Sequence, residues 1–464
     1  MASLLATAGA LVVCVTCACS GEGPKANKQD DSAGAQAGKS QSSAGTGGDS
    51  SGGAPDVAGS SAKGGTSSDS AGTGGSRASG GKGGTAGSGM AGTAGFAAGP
   101  PARNPCLDDN SCPPATWINV TPAGVNLKDD LDCGNYGTEG IQADARTPGT
   151  FYTEFMCQGV WRTTDYGATW NGPINTGDNG AAVGDCAGGI SIGARNSTTP
   201  PIIYQACIRG NGSGFWRSSD GGVNWTKYTI SVTPDRQDYY PPAVDPYDDK
   251  HLLMAGHEMN PLIESTDGGE HWSAVSTDAG MQQNGGTAEV FFLDTGNEAT
   301  TRTTFLWIGQ QSTLYGTWRT TNSGTNWKKV DNNEHPHGIS QVFQPDTSGI
   351  VYMAGAYSEL GWGVLRSEDY GATWTHVGST GNEAVVFGTP NNVYAMASGA
   401  SGLAAVVDTG FELSPAPGSG AWTSPAAPVA MTQGAAQGAV TNDGKHYVIL
   451  TANWGAGVWR YVEP

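Results

Sequence analysis

Four glutamates, Glu139, Glu258, Glu289 and Glu383, are the side chains of this sequence from which acid–base chemistry could be drawn. Cleavage of a glycosidic bond needs two carboxyls flanking the scissile oxygen, one to give a proton and one to act as base or nucleophile. The stretch AYSELGWG holds Tyr357, Glu359 and Trp362 together. An aromatic face beside a carboxylate can stack on a pyranose and accept from its hydroxyls. Trp454 and His257 supply groups of the same kinds. His335 and His337 raise a different chemistry, because a His-x-His on a strand turns both rings to one side. Pro336 argues for a loop there, and no further ligand stands at a diagnostic spacing, so no metal and no cofactor is expected. No Ser-His-Asp arrangement, phosphate-binding glycine loop or Cys-x-x-Cys zinc pattern occurs.

These residues can act together only if the fold brings them to one place. Residues 20 to 103 are almost entirely Gly, Ser, Ala and Thr, with no aromatic before Phe96. Such a segment cannot bury enough apolar surface to offset the entropy of ordering it, and 19–103 reads as a flexible tether. All 14 Trp and all seven His lie beyond it, so the folded unit is expected over 104–464. The tether carries seven basic and six acidic residues, which leaves 16 Lys and Arg against 36 Asp and Glu for the folded part. A surface this acidic repels a phosphate backbone and argues against nucleic acid as a partner. A monomer is expected.

Residues 3–18 are one apolar run that ends in small residues before Cys19, and 1–18 reads as a signal segment. The run is too short for a comfortable membrane span. A Cys after small residues, followed by a polar tether, resembles a bacterial lipoprotein processing site. Cys19 is then the lipidated residue, Cys17 its rival, and plain secretion the alternative. The sequence departs from that pattern in having no Lys or Arg before the apolar run and Thr16 three before the Cys. Six cysteines remain, Cys106, Cys112, Cys133, Cys157, Cys186 and Cys207, an even number that reads as three disulfides in an exported chain.

One pattern recurs in the folded part: GVWRTTDYGATW, GFWRSSDGGVNW, PLIESTDGGEHW, GTWRTTNSGTNW and GVLRSEDYGATW. Their terminal Trp residues, Trp170, Trp225, Trp272, Trp327 and Trp374, follow at intervals of 55, 47, 55 and 47. Trp422 stands 48 further on, and Arg460 of the last GVWR stands 94 beyond Arg366, twice 47. Six intervals make seven units. Each segment alternates as a strand before a turn, glycine supplies the positive φ of the turn, and two more strand-like runs precede it. About four short strands per unit, repeated radially, predict an all-β, seven-bladed β-propeller of four-stranded blades. The chain ends one strand short of a full unit, while ATWINVTP near residue 115 looks like the end of one. The N-terminal strand is therefore expected to complete the last blade. Equivalent positions in the first two units suggest Cys133–Cys157 and Cys186–Cys207, leaving Cys106–Cys112.

The five copies resemble the Asp-box (BNR) repeat of sialidases, xyloglucanase-type glycoside hydrolases, sortilin-type receptors and photosystem II stability factors, over about residues 115–464. The resemblance implies that Asp165, Asp220, Asp267, Asn322 and Asp369 are structural turn residues on the face away from the ligand. It places the ligand face at the loops that hold Glu139, Glu154, Glu258, Glu289, Glu359 and Glu383. The same loops carry Asp178, Asp185, Asp238, Tyr239, Tyr240, His257, His337, Tyr357, Trp362 and Trp454. Sialidase activity does not fit, because no Arg-Ile-Pro motif occurs and most repeat arginines (Arg162, Arg217, Arg319, Arg366, Arg460) recur at one structural position. Xyloglucanase-type enzymes work between two propellers, this chain has one, and the family's basic Asp aligns with Met156. What remains is an exported, lipid-anchored protein at the outer membrane or cell surface whose propeller recognises a glycan or polysaccharide. A glycoside hydrolase or polysaccharide lyase is the second reading, and a protein-assembly scaffold the third.

Overall fold

The computed structural model describes residues 113–128, 137–193, 199–256, 261–275, 288–309, 316–331, 342–354, 364–378, 384–397, 411–415, 421–423, 427–428, 430–432 and 434–464. The expected signal segment and tether, with Cys19, Cys106, Cys112 and Cys133, lie outside these residues.

The described chain forms seven antiparallel sheets, and each is one blade of a β-propeller. The first blade takes Ile141–Ala143, Phe151–Phe155 and Gly159–Thr163, with Asn171 bridging to Arg162 in the place of a fourth strand. The second takes Ala187–Ile192, Ile203–Arg209, Gly214–Ser218 and Thr226–Tyr228. The third runs from Ala243–Asp245 through Asp248–Met254 and Ile263–Ser265 to Ser273–Ala274. The fourth runs from Ala288–Phe292 through Phe305–Gly309 and Gly316–Thr320 to Lys328–Asp331. In the fifth, Phe343 bridges to Tyr352 ahead of Val351–Ala354, Val364–Ser367 and Thr375–Gly378. The sixth has Ala384–Gly388, Asn392–Ala397 and Phe411–Pro415, with Thr423 bridging to Leu413.

The seventh blade closes the ring as the repeat predicts. Its strands Gln437–Asn442, Tyr447–Ala452 and Val458–Val462 are completed by Ile118–Asn119, with Ile118 opposite Arg460. The two one-turn helices among the described residues, Gly180–Gly184 and Glu298–Thr301, leave no periodic signature that a sequence could show. Among the described residues no helix is long and apolar enough to cross a membrane.

The core lies between blades, not inside a single layer. Phe215 of the second blade packs with Leu252 and Met254 of the third, and Leu306 of the fourth with Val351 and Leu365 of the fifth. Because each blade is covered on both sides, the strand FYTEF is buried throughout and shows no in–out alternation of burial. The repeat Trp residues wedge into these seams. Trp225, Trp272, Trp327 and Trp374 are between 2% and 8% exposed, and the first, second and last donate their indole N–H to Gly222, Gly269 and Gly371.

The turn that precedes each Trp is held by its own polar groups. In the second blade, Ser218 Oγ donates to Asp220 and accepts from the Gly222 amide, while Asp220 accepts from the amides of Val223 and Asn224. Asp165, Asp267 and Asp369 each accept from the amide four residues on, and Asn322 does so with its side-chain oxygen from Asn326. The carbonyl oxygen needed for this is common to Asp and Asn, so the substitution at 322 keeps the turn. The repeat arginines tie neighbouring blades: Arg217 reaches the carbonyls of Asp267 and Gly268, Arg319 that of Tyr370, and Arg460 that of Tyr166. Cys186 and Cys207 are joined, with Cα atoms 5.3 Å apart, as blade equivalence suggests. Cys157 is also disulfide-bonded, and its expected pairing with Cys133 falls outside the described residues.

Candidate functional site

In an up-and-down blade, the start of the first strand and the end of the second lie at the end opposite the aspartate turns. Glu139 precedes the first strand of the first blade, and Glu154 is near the end of the second, FYTEF. The register then fixes the side on which Glu154 stands. It faces Val160, and the equivalent pairs in other blades are Ala206 with Phe215, Ile308 with Thr317, Ala354 with Val364 and Ala452 with Val458. One blade thus carries a carboxylate where four others carry Ala or Ile.

The Val160 side of the first blade packs against the second blade. Gln205, on the second strand of the second blade, faces back into the same seam beside Ile190 and Trp216. Glu154 is 1% exposed and Gln205 0%, and the two lie alongside each other in the seam without forming a hydrogen bond of good geometry. Burial pushes the Glu154 carboxyl well above the usual carboxylate range, and the Glu139 charge adds to this while the Gln205 amide alongside opposes it. Burial likewise pushes Glu139 up to about 8, against the pull of Arg209. Gly189 of the second blade lies beside it: a Cβ there would stand 3.9 Å from Glu139 Oε1 and would clash with Pro241 at 2.7 Å, so the glycine makes room for Pro241. Glu139 thus holds its proton into the neutral range beside a second acid that is also raised, and a protonated acid can donate where a carboxylate only accepts.

The other expected residues are distributed differently. Glu289 is the second residue of the first strand of the fourth blade, opposite Ile308 and partly buried, so it stands three blades from Glu139 around the ring. Trp454 is 5% exposed with φ at +47°, and its backbone exchanges hydrogen bonds with Thr138 across the closure between the seventh and first blades. Its ring is a buried wedge, which corrects its expected role as an open stacking surface. Tyr239 and Tyr240 are buried as well, Tyr239 bonding to Thr233. Asp185 accepts from Asn211, and Asp238 pairs with Arg236 at 3.0 Å. His257, Glu258, His335, His337, Tyr357, Glu359, Trp362 and Glu383 lie outside the described residues. Among those described, no group of three or more His, Cys, Asp or Glu is placed to hold a metal ion.

No family model matches the chain, and no curated protein does. Solved structures do. An ancestral GH74 enzyme is 12% identical with a TM-score of 0.55, over 71% of this chain and 48% of that one. The GH74 xyloglucanase from Xanthomonas campestris gives 17% identity and a TM-score of 0.48, over 74% of this chain and 53% of its own. YCF48 from Cyanidioschyzon merolae gives 14% and 0.44, over 75% and 99%. All three are β-propellers. The chain spans about half the length of the GH74 structures it matches. The first likeness concerns the fold alone.

Proposed function

We propose that this chain is an exported, lipid-anchored surface protein whose Asp-box propeller recognises a glycan through the end opposite the aspartate turns. The observation that carries the reading is the contrast between the two ends. At the turn end, Asp165, Asp220, Asp267 and Asp369 spend their oxygens on their own turns. At the other end Glu139 and Glu154, with Gln205, form a polar group that no blade-to-blade packing requires. Acids of this kind beside sugar hydroxyls give orientation and specificity. With 36 acidic against 16 basic residues in the folded part, the ligand is a neutral glycan, since a polyanionic one would be repelled. This disfavours a lyase acting on uronic-acid polymers.

A second reading, glycoside hydrolysis, is favoured by one specific feature. Glu139 keeps its proton to about 8 beside a second carboxyl, which is what a general acid requires at neutral pH. A glycan array and a reducing-sugar assay on the processed chain separate the readings. Binding without release of reducing ends supports recognition alone. Release that disappears in Glu139→Gln establishes hydrolysis. Binding to no glycan would discard both and favour the protein-assembly scaffold.

A further inference from the structure

The seam between the seventh and first blades differs from the others. Trp225, Trp272, Trp327 and Trp374 fill their seams, but Trp170, the equivalent residue of the first blade, is only partly buried and its indole N–H has no hydrogen-bond partner. The first blade also has Asn171 as a single bridge in the place of a fourth strand, as the sixth has Thr423. The space left open is a pocket of about 560 Å³ between the N-terminal strand and the first aspartate turn. Its wall includes Trp161, Trp170, Asn119, Thr121, Thr169 and Arg460. The Thr169 hydroxyl donates to Asp165, the Thr121 hydroxyl accepts from the Val458 amide, and the Asn119 side-chain oxygen accepts from the Thr121 amide. Arg460 is already engaged with the Tyr166 carbonyl at 3.1 Å. No acidic residue lines it, in a folded unit with 36 acidic residues.

We propose that this seam pocket is a second carbohydrate subsite, holding a neutral sugar unit against the indoles of Trp161 and Trp170. Two indoles supply stacking faces, and the remaining lone pairs of the Thr121 and Thr169 hydroxyls and the Asn119 amide oxygen can accept from sugar hydroxyls without charge preference. The volume lies in the range of about 300–1,000 Å³ typical of small-molecule sites. The subsite lies outside the Glu139 seam, so one chain would hold a glycan at two places and gain avidity for a polymer. The inference rests on the glycan reading and refines it.

The test is calorimetric titration of the intact chain with cellohexaose, xyloglucan heptasaccharide, mannohexaose and chitohexaose, followed by two variants. Trp170→Ala removes one wall. Ala168→Phe fills the pocket from an exposed turn position whose counterparts are Val223, Glu270, Thr325 and Ala372, so the turn accepts side chains of varied size. Loss of one binding event in both variants, with the melting curve of Ala168→Phe unchanged, is the expected result. Binding that persists unaltered in Ala168→Phe overturns the subsite and leaves glycan recognition standing. Binding of none of the four oligosaccharides to the unaltered chain would remove the glycan reading, and the subsite with it.

Discussion

Replacing Glu154 by Gln should stabilise the propeller, and more so as the pH rises. The wild-type carboxyl is 1% exposed, with the Gln205 amide alongside but no hydrogen bond of good geometry. At high pH it must either keep a proton against the solvent or carry a buried charge, and both cost free energy. Gln has the same shape and no proton to lose. Its amide can also pair with Gln205, whose oxygen and nitrogen are both unpartnered. A carboxyl whose folded pKa is raised binds more protons folded than unfolded. Its contribution is therefore complete below the unfolded value near 4.5 and is lost as pH rises through the folded value.

The neighbour sets the window. Glu139, moved from 4.5 to about 8, would by itself remove about 5 kcal/mol across that interval, and its partial exposure cuts this to about 2–3 kcal/mol. For Glu154→Gln we expect a gain of about 1–3 kcal/mol near pH 8, or ~2–6 °C in Tm at about 2 °C per kcal/mol for a domain of this size. Below about pH 4, where the acid is mostly neutral in either state, the gain should fall below about 1 kcal/mol, and the variant's profile between these limits should be flatter. Calorimetric melts of both proteins at three pH values measure all of this. Destabilisation of the variant at pH 8 would mean that the carboxylate is charged and satisfied, and the electrostatic reading of the seam would be wrong.

Trp225→Ala and Trp374→Ala each remove a buried wedge and should cost about 3–5 kcal/mol in chemical denaturation; an unchanged midpoint would contradict the seam packing. His251, 6% exposed, lies 2.8 Å from both Asp245 and Glu264. Burial favours its neutral ring, but the bonds from Asp245 and Glu264 outweigh this and raise it to about 9. The stability it adds is complete below 6.5 and lost through about 9, so His251→Gln should lower Tm at pH 6 and change it little at pH 10. Cys19→Ser should move the protein out of the detergent phase, and unaltered partitioning would place the lipid elsewhere. Peptide mapping without reduction should recover Cys133 linked to Cys157; a Cys157–Cys186 peptide would break both the blade equivalence and the observed Cys186–Cys207 bond.

The ring was legible because every blade repeats the same local solution. A turn that needs Thr or Ser, then Asp or Asn, then Gly, then Trp writes its requirements into adjacent residues, and five copies state the architecture. Closure was legible for the same reason, since ATW before residue 118 is the ending of a unit whose beginning stands at the other end of the chain. Trp454 was not legible. Its isolation from the repeat suggested an exposed ligand contact, whereas a residue can also leave the pattern because two ends of a chain meet there, and the hydrogen bonds between Trp454 and Thr138 are that junction.

The acid pair marks the complementary case. Glu139 stood among the expected catalytic acids, yet Glu154 was one loop acid among many, although its setting singled it out. FYTEF is a strand of bulky residues with one acid, and a strand covered on both sides has no solvent face to which an acid can turn. Any Glu inside it must therefore lie in a seam. What the sequence could not supply was the partner, because Gln205 belongs to the next blade, and only the register of both blades brings the two side chains into one seam. The repeat itself gives the scale for judging this. Four blades place Ala or Ile where the first places Glu154, so a propeller of this sequence closes without a carboxyl there. Burial of a poorly satisfied acid costs about 1–3 kcal/mol. A group that costs stability and is not needed for closure is best accounted for by what the open end of that seam does.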